Sequence, residues 1–142
     1  MKLFKVVLVD DSREILELVR FALKPLIDSG AIVYEAREFP KEFLWDLLER
    51  KTYFDLLISD INMPEMNGFE LIELIKMEQN FFHLPVLILT TESSNEMRER
   101  GRKAGVLGWV TKPFNMDRLR QIVKISLGLE EVCEENSTII AP

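Results

Sequence analysis

The chain has 142 residues, 47% of them hydrophobic, which suits one domain with an ordinary core. Its 18 basic and 24 acidic residues give a formal charge of −6, whereas nucleic-acid binders carry a basic excess or patch, so nucleic acid is excluded as a partner. The single cysteine, Cys133, rules out an internal disulfide and fits a reducing compartment. With no secretory signal and no apolar run near the ~18 residues of a membrane span, a soluble cytoplasmic domain is expected.

Phe4 to Val9 is a short apolar run rich in β-branched residues and predicts the first strand, which stops at Asp10-Asp11-Ser12. Helical spacing follows, with Ile15, Leu16, Val19, Ala22 and Leu23 on one stripe. Asp11 or Ser12 can cap this helix, Glu14 stands in the capping-box position after Asp11, and Pro25 and Gly30 mark the end. Ala31 to Ala36 predicts a second strand. Pro40 opens a second helix with Phe43, Leu44, Leu47 and Leu48 inward and Trp45 at the edge of the core. The apolar run Tyr53 to Asp60 predicts a third, buried strand; it ends in an aspartate and then a turn closed by Pro64.

Asn67-Gly68 is a turn signal, and Phe69, Ile72, Leu74 and Ile75 begin a third helix. Val86 to Leu89 is a fourth strand ending at Thr90-Thr91. Ser93-x-x-Glu96 is a capping box for a fourth helix that has only Met97 and Ala104 to bury. Gly101 weakens that helix by about 1 kcal/mol. A helix polar nearly all round is weakly anchored or awaits a partner. Its basic run, Arg98, Arg100, Arg102 and Lys103, reads as a solvated face or as a dock for an acidic partner. Val106 to Thr111 predicts the fifth strand, followed by Lys112-Pro113. The last helix carries Leu119, Ile122, Val123 and Ile125 and stops at Gly128. Residues 1–128 thus form one domain, and 129–142 an acidic tail expected to be disordered. Five strands alternating with five helices require an α/β, doubly wound, five-stranded parallel sheet with right-handed crossovers.

In a parallel sheet the carboxyl ends of all strands share one edge, where open α/β sheets bind ligands. Asp10-Asp11, Asp60, Thr90-Thr91 and Lys112 all fall there. Three close carboxylates repel, and at least one should have a raised pKa unless a cation intervenes. One lysine neutralises part of that charge, and Mg2+, a hard cation content with oxygen ligands and retained waters, would relieve the rest. Such a cation offsets charge in phosphoryl transfer, and carboxylates are nucleophiles in that chemistry. The set suffices to make an aspartyl phosphate on Asp60.

As a set, four segments carry a family resemblance: Val7-Leu8-Val9-Asp10-Asp11-Ser12, Ser59-Asp60-Ile61-Asn62-Met63-Pro64, Leu89-Thr90-Thr91-Glu92 and Trp109-Val110-Thr111-Lys112-Pro113-Phe114. From about Lys5 to Gly128 the chain resembles the receiver domain of two-component response regulators, most closely the stand-alone chemotaxis type. The resemblance implies the flavodoxin-like strand order 2-1-3-4-5. It implies that Asp60 is the phosphoacceptor and that Asp11, Asp60 and the backbone carbonyl of Asn62 ligate Mg2+, with Asp10 acting through water. Thr90 and Lys112 would contact phosphoryl oxygens, and the bond before Pro113 would be cis. Thr90 and Trp109 would form a switch, Trp109 repacking inward on phosphorylation and altering the face made by the fourth helix, fifth strand and fifth helix. Asn62 and Glu92 would tune a slow self-dephosphorylation.

The implied donor is a sensor histidine kinase or a histidine phosphotransfer protein, and the implied output is a protein target. The chain would be a monomer or a phosphorylation-dependent dimer, and a phosphoacceptor rather than a turnover enzyme. It departs from the usual pattern at Trp109, where Tyr or Phe is common, at Thr91, at Asn67 and in a longer span around Arg37 to Lys51. Two rivals stand beside this reading. A phosphatase of the haloacid dehalogenase type would want an aspartate at position 62, where this chain has Asn62. A constitutive, non-phosphorylated binding module would not need the acidic set.

Overall fold

The computed structural model describes residues 2–130, so Cys133 and the expected disorder beyond Glu130 lie outside the described residues. The elements run β1 (Phe4–Val9), α1 (Arg13–Ala22), α2 (Lys24–Asp28), β2 (Ile32–Arg37), α3 (Pro40–Leu48), β3 (Leu56–Ser59), α4 (Gly68–Lys76), β4 (Val86–Thr90), α5 (Asn95–Ala104), β5 (Gly108–Thr111) and α6 (Met116–Ser126). The strands form one parallel sheet in the order β2-β1-β3-β4-β5, as expected.

The sheet is buried on both faces because successive side chains point to opposite sides. Val6 and Leu8 of β1 join Leu16 and Val19 of α1 and Leu119, Ile122 and Val123 of α6. Val7 and Val9 join Phe43 and Leu47 of α3, Phe69 and Ile72 of α4, and Trp109. All four residues of the central strand β3 are buried. Fully burying side chains of this size stabilises by about 1.5–3 kcal/mol each, so the sheet and its flanking helices are the rigid frame for whatever sits on the strand tips.

Several local expectations need correction. Six helices form among the described residues instead of five, because Pro25 does not end α1 but opens α2: its fixed φ suits a first helical turn. Strand β3 is shorter than Tyr53 to Asp60; Tyr53 is exposed, and Asp60 lies one residue beyond the strand. Strand β5 begins at Gly108 rather than Val106.

Ser12 alone caps α1, its hydroxyl accepting from the Ile15 N–H, so Asp11 is not used as a cap and no capping box forms with Glu14. Ser94, not Ser93, caps α5 by accepting from the Met97 N–H. Leu48, Leu74 and Trp45 are exposed, and Leu71 takes the inward place on α4. Pro40 does open α3, at its first turn. No helix among the described residues is long and apolar enough to cross a membrane.

Candidate functional site

The backbone ladder continues past the strand ends and carries the polar residues with it. The Asp10 N–H donates to the Arg37 carbonyl at 3.0 Å, the Asp60 N–H to the Val9 carbonyl at 3.1 Å, and the Lys112 N–H to the Thr90 carbonyl at 2.7 Å. Residues 102 positions apart in sequence therefore meet: Lys112 Nζ donates to Asp10 Oδ2 at 2.8 Å and to Asp60 Oδ2 at 3.0 Å. Carboxylate oxygens of Asp10, Asp11 and Asp60 all lie within 4.8 Å of one another. Asp10 and Asp60 are buried, while Asp11 is exposed at the mouth. Three clustered carboxylates, of which Asp10 and Asp60 share one ammonium, offer only oxygen donors, and this set fits a hard divalent cation such as Mg2+.

The two buried acids are held by their surroundings. Asp10 Oδ1 accepts from the Ser12 N–H at 2.9 Å, and Asp60 Oδ1 accepts from the Ile61 N–H at 2.6 Å. Burial pushes the Asp10 carboxyl above its ordinary 3.8; hydrogen bonds from Lys112 and the Ser12 N–H work against the rise, and the Asp60 charge adds to it. Burial also opposes the Lys112 ammonium, but the hydrogen bonds and charges of Asp10 and Asp60 win and hold its pKa above 10.5. The peptide bond from Lys112 to Pro113 is cis.

Around the acids, Thr90 is fully buried and its hydroxyl accepts from the Glu92 N–H at 3.3 Å. Asn62 is exposed, and its Nδ2 donates to Glu92 Oε1 at 3.2 Å. The Glu92 carbonyl accepts from Trp109 Nε1 at 2.9 Å. Glu92 thus ties together the loop after Asp60, Thr90 and the indole. Thr91 is exposed.

The basic run on α5 is not a uniformly solvated face. The Arg98 guanidinium lies 5.8 Å from the Trp109 ring, and that of Arg100 lies 4.5 Å from the Phe69 ring. Arg102 pairs with Glu99 at 3.7 Å, and Lys103 is exposed. A groove of about 430 Å³ between α5, β5 and α6 is lined by Arg98, Val110, Phe114 and Arg118 among others.

Two glycines with site-building roles carry no functional signal in the sequence. Gly68 packs against the main chain of Asp60: a Cβ there would sit 2.1 Å from the Asp60 carbonyl oxygen. Its place after Asn67 resembles an ordinary turn, and Asn67 is in fact the N-cap of α4, in a capping box with Glu70. Gly101 lies against the Trp109 indole, at 2.9 Å for an added Cβ. Only the buried partners reveal either role.

The fold and these strand-tip residues can be set beside known proteins. The family model described as response regulator receiver domain matches residues 6–124. The chain belongs to the response regulator receiver family. A chemotaxis protein CheY homolog of Campylobacter jejuni is 33% identical to this receiver over 124 residues, spanning 87% of this chain and 92% of that protein. Chemotaxis protein CheY1 of Helicobacter pylori is 30% identical over 127 residues, or 89% of this chain and 99% of that one. Among solved structures, the chemotaxis response regulator CheY4 of Vibrio cholerae aligns with a TM-score of 0.76 at 36% identity, over 89% of the receiver and 100% of that chain. The receiver is therefore CheY-like in sequence and in fold, consistent with two-component signalling.

Proposed function

We propose that this receiver takes a phosphoryl group onto Asp60 from a phosphohistidine on a sensor histidine kinase or a histidine phosphotransfer protein. The supporting observation is Lys112 Nζ bridging Asp10 and Asp60, with Asp11 alongside. A carboxylate oxygen of Asp60 attacks phosphorus, the phosphorus–nitrogen bond breaks, and the imidazole departs with the electron pair and a proton from solvent. Lys112 orients the Asp60 carboxylate and presents its ammonium to the phosphoryl oxygens. The buried Thr90 hydroxyl is a further donor there.

Asp11, Asp60 and the Asn62 carbonyl would hold Mg2+, with Asp10 acting through water. When bound, the metal supplies positive charge that offsets the negative charge of the phosphoryl group. Asn62 and Glu92, hydrogen-bonded to each other beside the acceptor, govern how readily water reaches the product. The phosphorylated form signals through Thr90, Trp109 and the α5-β5-α6 face, where Arg98, Arg100, Arg102 and Lys103 meet a protein partner. Residues 1–128 act as one receiver unit, as a cytoplasmic phosphoacceptor and not a turnover enzyme.

Incubation with Mg2+ and a small acyl phosphate, followed by intact mass, tests this. One phosphoryl group should add to the wild type and none to Asp60→Asn. A wild type that never gains the group across several donors refutes the reading, and steady phosphate release from phosphoesters would point to a phosphatase instead.

A further inference from the structure

Trp109 is 4% exposed although it lies on an edge strand beside the mostly polar helix α5. Phe69 of α4 lies with its ring centroid 6.3 Å from the indole, the planes tilted by 34°. Arg98 lies over the indole, and the Nε1–H is tethered to the Glu92 carbonyl at 2.9 Å. Gly101 closes the enclosure from α5. A Cβ at position 101 would meet Trp109 Cζ3 at 2.9 Å, Trp109 Cε3 at 3.2 Å and Val106 Cγ2 at 3.3 Å. Carbon atoms pack at about 3.5–4.0 Å, so even one methyl does not fit beside the indole. Sliding the indole away would stretch its bond to Glu92.

That bond leads towards the acceptor. Through its N–H, Glu92 holds the Thr90 hydroxyl, and through its carboxylate it holds Asn62, two residues past Asp60. A contiguous set of hydrogen bonds of this kind can carry energetic coupling between sites. We propose that Gly101 is a positioning residue: the missing side chain seats Trp109 inward, and through Glu92 this sets how readily Asp60 is phosphorylated. The coupling half rests on the receiver reading; the seat does not. The glycine that weakens α5 as a helix is thereby given a reason, since Ala would be the better helix former but would evict the indole.

The test uses a Trp45→Phe background, which leaves Trp109 as the one indole in a chain with two tryptophans. Trp45 is 64% exposed and outside the site. Gly101→Ala is compared with this background by acrylamide quenching, and Gly101→Ala, Trp109→Phe and the double variant are compared by thermal melting and by phosphorylation by acyl phosphate with Mg2+. Gly101→Ala should expose the indole to quencher and slow phosphorylation about fivefold, the lower end of ordinary couplings between sites.

The double variant should phosphorylate as fast as Trp109→Phe alone and melt higher than it, because the smaller ring leaves room for the methyl. Unchanged quenching in Gly101→Ala overturns the seat. An exposed indole with a wild-type rate overturns the coupling. A double variant slower than Trp109→Phe alone assigns the effect to the helix rather than the indole and overturns the proposal. A wild type that takes no phosphoryl group removes the coupling together with the receiver reading, and quenching alone then decides the seat.

Discussion

Gly68→Ala is the sharpest perturbation of Asp60 that leaves every acidic residue in place. The new Cβ would start 2.1 Å from the Asp60 carbonyl oxygen and 3.0 Å from the Asp60 carbonyl carbon and Ile61 Cα. Every one of these is a backbone atom, so no side chain can turn aside. Both sides are also pinned. The Gly68 N–H donates to the Ile61 carbonyl at 2.8 Å, the Asp60 N–H to the Val9 carbonyl at 3.1 Å, and the Asp60 carbonyl accepts from Ser59 Oγ at 2.8 Å. Overpacking of this kind costs about 1–3 kcal/mol, and the rigid neighbours place it at the upper end.

Replacing a helical glycine returns up to about 1 kcal/mol. The net loss is therefore about 2 kcal/mol, or a fall in melting temperature of roughly 6–10 °C for a chain of this size. Asp60 must move with its carbonyl. A misplacement on the order of 1 Å can cost about a hundredfold in rate, so phosphorylation should fall between tenfold and that limit. Thermal melts and a time course of intact mass with acyl phosphate measure both. A variant that melts like the wild type and phosphorylates at its rate would refute the close approach of Gly68 to Asp60.

Other perturbations follow from the charges. Lys112→Met strips the ammonium that Asp10 and Asp60 share and should destabilise by about 2 kcal/mol, below the range for fully buried pairs because the site is partly open. The folded-state pKa of Lys112 lies above 10.5, so its contribution is fully present below 10.5 and lost as pH rises through the higher folded value. Melts of wild type and variant should converge only in that alkaline window.

Asp10→Asn should melt higher than wild type in chelator at neutral pH. Burial raises the Asp10 pKa, so its ionisation costs stability as pH climbs from 3.8 to the raised folded value, and the penalty stays in full above it. The same variant should lose most of its stabilisation by added Mg2+. Arg37→Ala should cost about 1–2 kcal/mol, because Arg37 bonds Glu35 at 3.1 Å and Asp46 at 2.5 Å with its side chain only 16% exposed. Burial disfavours ionised Glu35, but bonds from Lys5, Arg37 and Thr52 hold its pKa below 4.5. Its contribution is present above 4.5 and disappears as pH falls through the lowered value, so the deficit should close in acid.

Sheet and helices were legible because burial on both faces writes long apolar runs and helical stripes into the sequence. The strand-tip acids, Thr90 and Lys112 were legible because each interrupts or follows such a run. Pro25 was misread because a proline that stops one helix can equally start the next. Ser93 and Ser94 are both good caps, and only the folded chain, in which the Met97 N–H donates to the Ser94 hydroxyl, decides between them. Leu48, Leu74 and Trp45 fall near their stripes, yet the helices turn them towards solvent. Gly68 and Gly101 stayed hidden because their meaning lies in a carbonyl and an indole brought up by other parts of the chain.

The strand order leaves β2 and β5 as the two borders of the sheet. Exposed borders invite pairing with other chains and, from there, aggregation. Strand β2 carries Glu35 and Arg37, locked in ion pairs with Lys5 and Asp46. Strand β5 has only four residues and runs into Pro113, which has no N–H to offer an incoming strand. One border is charged and the other is cut short, so crowded copies of this protein have little with which to zip together.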